Sequence, residues 1–312
     1  MALKLVFCGT PEFAVPTLEA VLAAGHEVPL VVTQPDKAVG RKAEMQAPPV
    51  KRTAETHGIR VVQPEKIKHN EEFRAQLEAI RPDVIVVVAY GRIIPKWMLD
   101  LPPLGNINLH GSLLPKYRGA APIQWAIANG ETTTGVTTMR IDEGLDTGPM
   151  LLAEVQWIAP EETAVDVFEC LADIGAKLMV KTLSGLECGT LTAVEQNHAE
   201  ATHAPILKRE DGLIDFCRTA RNIYNRWRGF QPWPGAYTML RGKKFIVHAM
   251  KLAHGVAAAR GELIIDNGRM FAGCGEGGAI ELLEVQAEGK RRMPTAEFLR
   301  GFQLRSGERL GA

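Results

Sequence analysis

Residues 3–32 read LKLVFCGTPEFAVPTLEAVLAAGHEVPLVV. Leu3–Cys8 is a short apolar run that breaks at Gly9-Thr10-Pro11, the pattern of a buried strand entering a turn. Phe13–Ala24 then carries Val15, Leu18, Val21 and Leu22 at helical spacing and stops at Gly25. Val28–Val32 is a second apolar run. Strand, helix and strand in this order make a βαβ unit, which demands a parallel sheet with a right-handed crossover.

The pattern continues outward. Val61-Val62 reads as a brief strand and Glu71–Ile80 as a helix closed by Arg81-Pro82. Asp83–Val88 is apolar and β-branched throughout its last five residues, as a central parallel strand should be. Ile107–Leu109 is another strand, and Gly135–Ile141 and Met150–Trp157 are two more that could pair as neighbours. Thr163–Leu183 is one long helix with Val167, Leu171, Ile174, Leu178 and Leu183 in phase and Thr163 as its N-cap. After Gly185 the texture changes. Residues 186–207 show no period and read as a linker; Phe216–Trp227 reads as a helix. Short strands come next at Lys244–Met250, Glu262–Ile265, Met270–Ala272 and Ala279–Val285, separated by turn signals such as Asp266-Asn267-Gly268. The expected fold class is α/β: a Rossmann-like domain over 1–185, a linker over 186–207, and a small β-barrel or sandwich over 208–312.

Composition bounds the function. A chain of 312 residues suggests two domains, and 46% hydrophobic with 23% charged residues excludes disorder as the main state. No run of about 18 apolar residues exists, and the N-terminus lacks a cleavable signal pattern, so a cytoplasmic protein away from membranes is expected. Five scattered cysteines with no C-x-x-C pair exclude a disulfide framework and a cysteine zinc site. The net charge of zero hides an asymmetry. Residues 1–207 carry 18 Lys and Arg against 25 Asp and Glu, a net of −7, whereas residues 208–312 carry 18 against 11, a net of +7. A basic tail on an acidic body points to an anionic partner or to solvated surface charge.

Gly273-Cys274-Gly275-Glu276-Gly277-Gly278 satisfies G-x-G-x-x-G, but a strand-like run comes after it, so it reads as a glycine-rich hairpin and not a dinucleotide site. No phosphate-binding G-x-x-x-x-G-K-[ST], no H-E-x-x-H and no G-x-S-x-G occurs. The informative stretch is 106–119, NINLHGSLLPKYRG. Asn108 and His110 are two apart at a strand end, so alternation puts both on one face. An amide can donate to a developing oxyanion and an imidazole can move a proton near neutral pH, a pair suited to acyl transfer. The alternative is a structural histidine bonded to a turn carbonyl. Residues 141–149, IDEGLDTGP, form a turn-rich acidic loop with Asp146 between Gly144 and Gly148. Its carboxylate could complete the constellation, or cap the loop as an Asx-turn. The polar segment 34–50 leaves the second strand at the carboxyl edge of the sheet, where ligands of open α/β sheets bind.

Asn108-x-His110-x-Ser112-Leu113-Leu114-Pro115, together with Asp146-Thr147-Gly148 further on, resembles the signature of the formyltransferases that use 10-formyltetrahydrofolate. Phe7–Ala14, Thr33–Asp36, Gly119–Trp125 and Pro232–Tyr237 resemble the branch of that family acting on methionyl-tRNA, and the match runs end to end. The resemblance implies catalytic roles for Asn108, His110 and Asp146, a folate site along Ser112, Leu113, Leu114 and Pro115, and an OB-like C-terminal barrel. It further implies 10-formyltetrahydrofolate as one-carbon donor, initiator methionyl-tRNA as acceptor, no metal ion, and a monomer. The tRNA would contact Arg41 and Lys42 in the 34–50 loop. The family's basic loop is written here Gly40-Arg41-Lys42-Ala43-Glu44, one lysine short and with a glutamate gained. A folate-dependent enzyme acting on a small-molecule amine would share the three catalytic residues without needing the basic tail.

Overall fold

In the computed structural model, which describes residues 2–39 and 44–311, the opening apolar run forms β1 (Lys4–Gly9). One 3-10 turn at Glu12–Ala14 leads into α1 (Val15–Ala23), and then β2 (Glu27–Val32). A hairpin of β3 (Lys37–Val39) and β4 (Glu44–Gln46), then α2 (Pro49–Thr56) and β5 (Val61–Val62), complete the first third. Next come α3 (Glu71–Ile80), β6 (Val84–Val88), α4 (Lys96–Leu99), β7 (Asn106–His110) and the two-residue β8 (Arg118–Gly119). α3 begins where Asn70 accepts a hydrogen bond from the Phe73 amide, a side-chain N-cap. After α5 (Pro122–Ala128), β9 (Thr133–Arg140) and β10 (Met150–Trp157) run to α6 (Ala164–Glu187), and β11 (His203–Ala204) pairs with β8.

The sheet order is β10-β9-β7-β6-β1-β2-β5. The five strands from β7 to β5 are parallel, while β9 runs antiparallel to β7 and β10 antiparallel to β9. The sheet is therefore mixed, with the two expected neighbours forming its antiparallel edge. On one face Val6, Leu30, Ile85 and Val87 pack with Phe73 and Leu77 of α3. On the other, Leu109 packs on α6 at Gly175. Burial pushes the Cys8 thiol far up, so it stays a protonated core side chain.

The C-terminal unit is built on α7 (Ala220–Gly229), β12 (Tyr237–Leu240), β13 (Lys243–Ala253), β14 (Leu263–Asp266), β15 (Arg269–Gly273), β16 (Ala279–Ala287), β17 (Met293–Pro294) and α8 (Thr295–Gly301). The sheet order is β12-β13-β16-β15-β14, all antiparallel. Arg309 bridges to Glu262 beside β14 and Leu310 bridges to Leu240 of β12, so one terminal segment joins both edges and closes the sheet into a barrel. Phe245, Val247, Leu263, Met270, Ile280 and Leu282 fill it. The glycine-rich run 273–278 is a hairpin between β15 and β16, with Cys274 N donating to Gly278 O. The helix expected from Phe216 starts only at Ala220. Asp215 holds a turn through the Cys217 and Arg218 amides, and Thr219 then caps the helix by accepting from Asn222 N.

The chain divides into two compact units at other points than the change of texture. The first takes residues up to Pro122, Thr133–Trp157 and Val167–Pro205; the second takes Ile123–Thr132, Ile158–Asp166 and the chain from Ile206. The aperiodic stretch 186–207 thus packs with the first unit as far as Pro205, through α6, a Val194–Met150 bridge and β11. Segments 123–132 and 158–166 join the second because α7 needs them. Phe230 meets Trp125 edge-on at 5.2 Å, and the Arg228 guanidinium donates to the Ala159 and Glu162 carbonyls. A Cβ at Gly229 would lie 2.6 Å from Gln124 O and 2.7 Å from Ala128 N, both backbone atoms of α5. Gly229→Ala should therefore destabilise this unit by about 1–3 kcal/mol, seen as a lower urea midpoint.

Candidate active site

The site begins at the carboxyl end of β7. In a pleated strand residues 106, 108 and 110 share one face, and β7 is held on both sides, Asn108 pairing with Val87 and with Met139. Asn106 uses its amide to tie this face to α4, donating to the Met98 and Leu99 carbonyls. Asn108 is half-buried, and among the described residues no hydrogen bond is made to its side chain. Its carboxamide is thus available to a ligand. His110 is buried, 5% exposed. Its Nε2 lies 2.9 Å from the Tyr117 carbonyl, which can only accept, so Nε2 carries the hydrogen. Nδ1 then faces the Asp146 carboxylate at 3.7 Å. The bond from Nε2 to a turn carbonyl is the structural arrangement, and the same bond leaves Nδ1 facing Asp146.

Asp146 stands in the loop between β9 and β10 with a left-handed backbone, φ +52°. Capping of this loop falls to Asp142 instead, which accepts from Gly144 N at 3.0 Å and from Thr147 Oγ1 at 2.7 Å. Asp146 Oδ2 accepts from Gly119 N, 27 residues away, at 2.8 Å. Gly148 is required by close approach, since a Cβ there would lie 2.0 Å from Arg140 O.

The loop after His110 is held internally. Ser112 Oγ donates to Lys116 O, Thr137 Oγ1 donates to Ser112 O, and Leu114 N donates back to Thr137 Oγ1. The Ser112 hydroxyl is thereby committed within the protein, and Leu114 is buried. Leu113 and Pro115 are half-exposed, and the Leu113 side chain lies against Gly135 of β9. Arg41 and Lys42 lie outside the described residues. The base of their loop is ordered by Lys51, whose Nζ lies 2.9 Å from both Asp36 oxygens and from Gln63 Oε1. Hydrogen bonds from Gln63 and then Lys51 hold the Asp36 carboxyl below the ordinary carboxylate range. Gln34 ties the same base to the end of β6 by donating to Tyr90 O.

Residues 3–183 match the family model described as formyl transferase, and residues 206–303 match that of the formyl transferase C-terminal domain. The chain belongs to the formyl transferase family. It is 65% identical to a methionyl-tRNA formyltransferase of Acidobacterium capsulatum, over 99% of this chain and 100% of that one. It is 60% identical to a methionyl-tRNA formyltransferase of Koribacter versatilis, over 98% of each. Among solved structures, the N-formyltransferase of Helicobacter canadensis, in complex with folinic acid and dTDP-3-aminofucose, aligns with TM-score 0.67 at 20% identity. That alignment covers 92% of this chain and 100% of the other.

Several residues that shape this candidate site are not marked individually by the sequence. Tyr117 supplies the carbonyl for His110, and its own amide is held by Thr202 Oγ1 at 2.9 Å. Arg118 and Gln196 are both buried behind the Asp146 loop. Position 196 falls in a stretch without period, where nothing local marks it. Tyr117 and Arg118 lie inside the informative 106–119 stretch, and that position is the one hint the sequence holds.

Proposed function

We infer that this chain transfers the formyl group of 10-formyltetrahydrofolate to the α-amino group of methionine on initiator tRNA. The observation that carries the chemistry is the convergence of His110 and Asp146 on the sheet edge that also presents the uncommitted Asn108 amide. Full-length kinship with methionyl-tRNA formyltransferases supports the choice of substrates. The half-exposed Leu113 and Pro115, beside the His110 strand, suit the flat ring of a folate, and the loop Ser112–Pro115 is proposed to hold it.

In this reading the neutral amine attacks the formyl carbon, forming a C–N bond. Asn108 donates an N–H to the oxyanion that appears on the formyl oxygen. His110 takes the amine proton at Nδ1 while Nε2 stays bonded to Tyr117 O. The imidazolium is stabilised by the Asp146 carboxylate 3.7 Å away. His110 then returns that proton to the departing folate nitrogen as its bond to the formyl carbon breaks. The proton count is unchanged over the cycle.

The chemistry is assigned to the 1–185 region and tRNA grip to the basic 208–312 region, joined through 186–207. A cytoplasmic location suits the exposed unpaired thiols of Cys188 and Cys217. A monomer is proposed as the working assembly. Arg41 and Lys42 are proposed to contact the tRNA acceptor end. Arg41→Leu should lower kcat/KM for methionyl-tRNA by about 100-fold through misplacement of the amine. Folate binding should stay within about twofold, and Lys42→Ala should matter less than Arg41→Leu. The reading as a whole is tested by formylation of initiator and elongator methionyl-tRNA with the purified protein; formylation of neither overturns it.

A further inference from the structure

Aspartate tolerates the left-handed region better than most residues, yet at φ +52° the conformation of Asp146 is also held by its surroundings. At Asp146 one side chain does the holding. Gln196 is 4% exposed, and its Nε2 donates to the Asp146 carbonyl at 2.9 Å and to the Gly148 carbonyl at 2.7 Å. Its Oε1 accepts from Arg118 Nε at 3.0 Å and from Nη2 at 2.7 Å. Both amide hydrogens and both acceptor positions are used, so only one orientation of the amide satisfies its neighbours. Arg118 is equally buried, and its Nη2 also meets His198 Nδ1 at 3.1 Å. Next to it, Gly119 N donates to the Asp146 carboxylate. The dipeptide Arg118-Gly119 therefore grips Asp146 twice, the backbone through Gln196 and the carboxylate directly.

A buried guanidinium set against neutral acceptors is costly when packing alone is required. What it supplies here is direction, because a double donor on Oε1 forces the amide hydrogens toward the Asp146 loop. We propose that Gln196, locked by Arg118, is a positioning residue that aims the Asp146 carboxylate at His110 Nδ1. The inference rests on the reading of Asp146 as the partner of His110 in formyl transfer.

The test is a double-mutant cycle on the full chain. Gln196→Leu should lower kcat for formylation by about 100-fold, as a displacement near 1 Å does. The KM values for formyl donor and methionyl-tRNA should stay within about threefold, since ground-state binding is untouched. In an Asp146→Ala background the same change should cost less than about threefold, because no carboxylate is left to aim. Gln196→Glu keeps the shape and the contact to Arg118 but offers no donor to the two carbonyls. It should reproduce the kcat loss, and it serves if the leucine variant does not fold. Wild-type kcat with only a lowered Tm, or an equal loss in both backgrounds, overturns the proposal. Asp146→Ala that keeps wild-type kcat instead overturns the underlying reading of Asp146. Inactive Asp146→Ala beside fully active Gln196→Leu overturns positioning alone.

Discussion

Replacing His110 by alanine should lower kcat for formylation of methionyl-tRNA by about 100- to 10,000-fold, the usual cost of losing a positioned general acid–base. The size reflects the absence of a substitute. The Tyr117 carbonyl takes up Nε2, Asp146 carries no exchangeable proton when ionised, and Nδ1 alone faces the carboxylate. The same substitution should also lower stability by about 1–3 kcal/mol, because the buried hydrogen bond from His110 Nε2 to Tyr117 O is lost. Activity and thermal unfolding must therefore be measured on the same preparation. His110→Asn, which keeps an amide donor but cannot shuttle a proton, should be as inactive with a smaller loss of Tm. Retention of more than about a tenth of kcat by either variant removes the acid–base role.

Asn108→Ala should lower kcat by about 100- to 1,000-fold, the range for removing one oxyanion donor. Here stability should hardly change. The side chain is half-buried and bonded to nothing among the described residues, so its removal leaves no orphaned partner. The effect should appear in kcat more than in either KM, since the oxyanion exists only beyond the ground state. Asn108→Asp sharpens the test. It is nearly isosteric, yet it replaces the donor by a negative charge facing the oxyanion, and it should be slower than Asn108→Ala. An Asn108→Ala variant that keeps wild-type kcat would show that the amide donates nothing in the transition state.

Regular elements were legible because their signals are local. Period and punctuation place α3 at Glu71–Ile80, and β-branching places Val84–Val88 at the centre of a parallel sheet. The glycine run 273–278 reads as a hairpin because the alternating segment Ala279–Val285 comes directly after it. Boundaries were less legible where a side chain intervenes. Asp215 and Thr219 delay α7 to Ala220, although apolar spacing begins at Phe216. Segment 158–166 joins the C-terminal unit because Arg228 finds its carbonyls there, a pairing that no period announces.

The candidate site divides the same way. Alternation along one strand put Asn108 and His110 on a common face, since a period of two is a property of backbone geometry alone. β9 runs antiparallel to β7 and ends beside Ile107, at the start of the histidine strand, so Asp146 meets His110 only because the loop between β9 and β10 folds back toward it. That Asp142 caps the loop while Asp146 turns inward was decided by space and by partners: Thr147 beside one, Gly119 beside the other. The Arg118–Gln196 lock spans 78 residues and joins two segments that share no period. Residue types and local spacing determined which groups were chemically able to act. Which of them face one another was decided by strand order and by the pairing of buried donors with acceptors, because those constraints connect residues that are distant in the chain and become defined only once the sheet has formed.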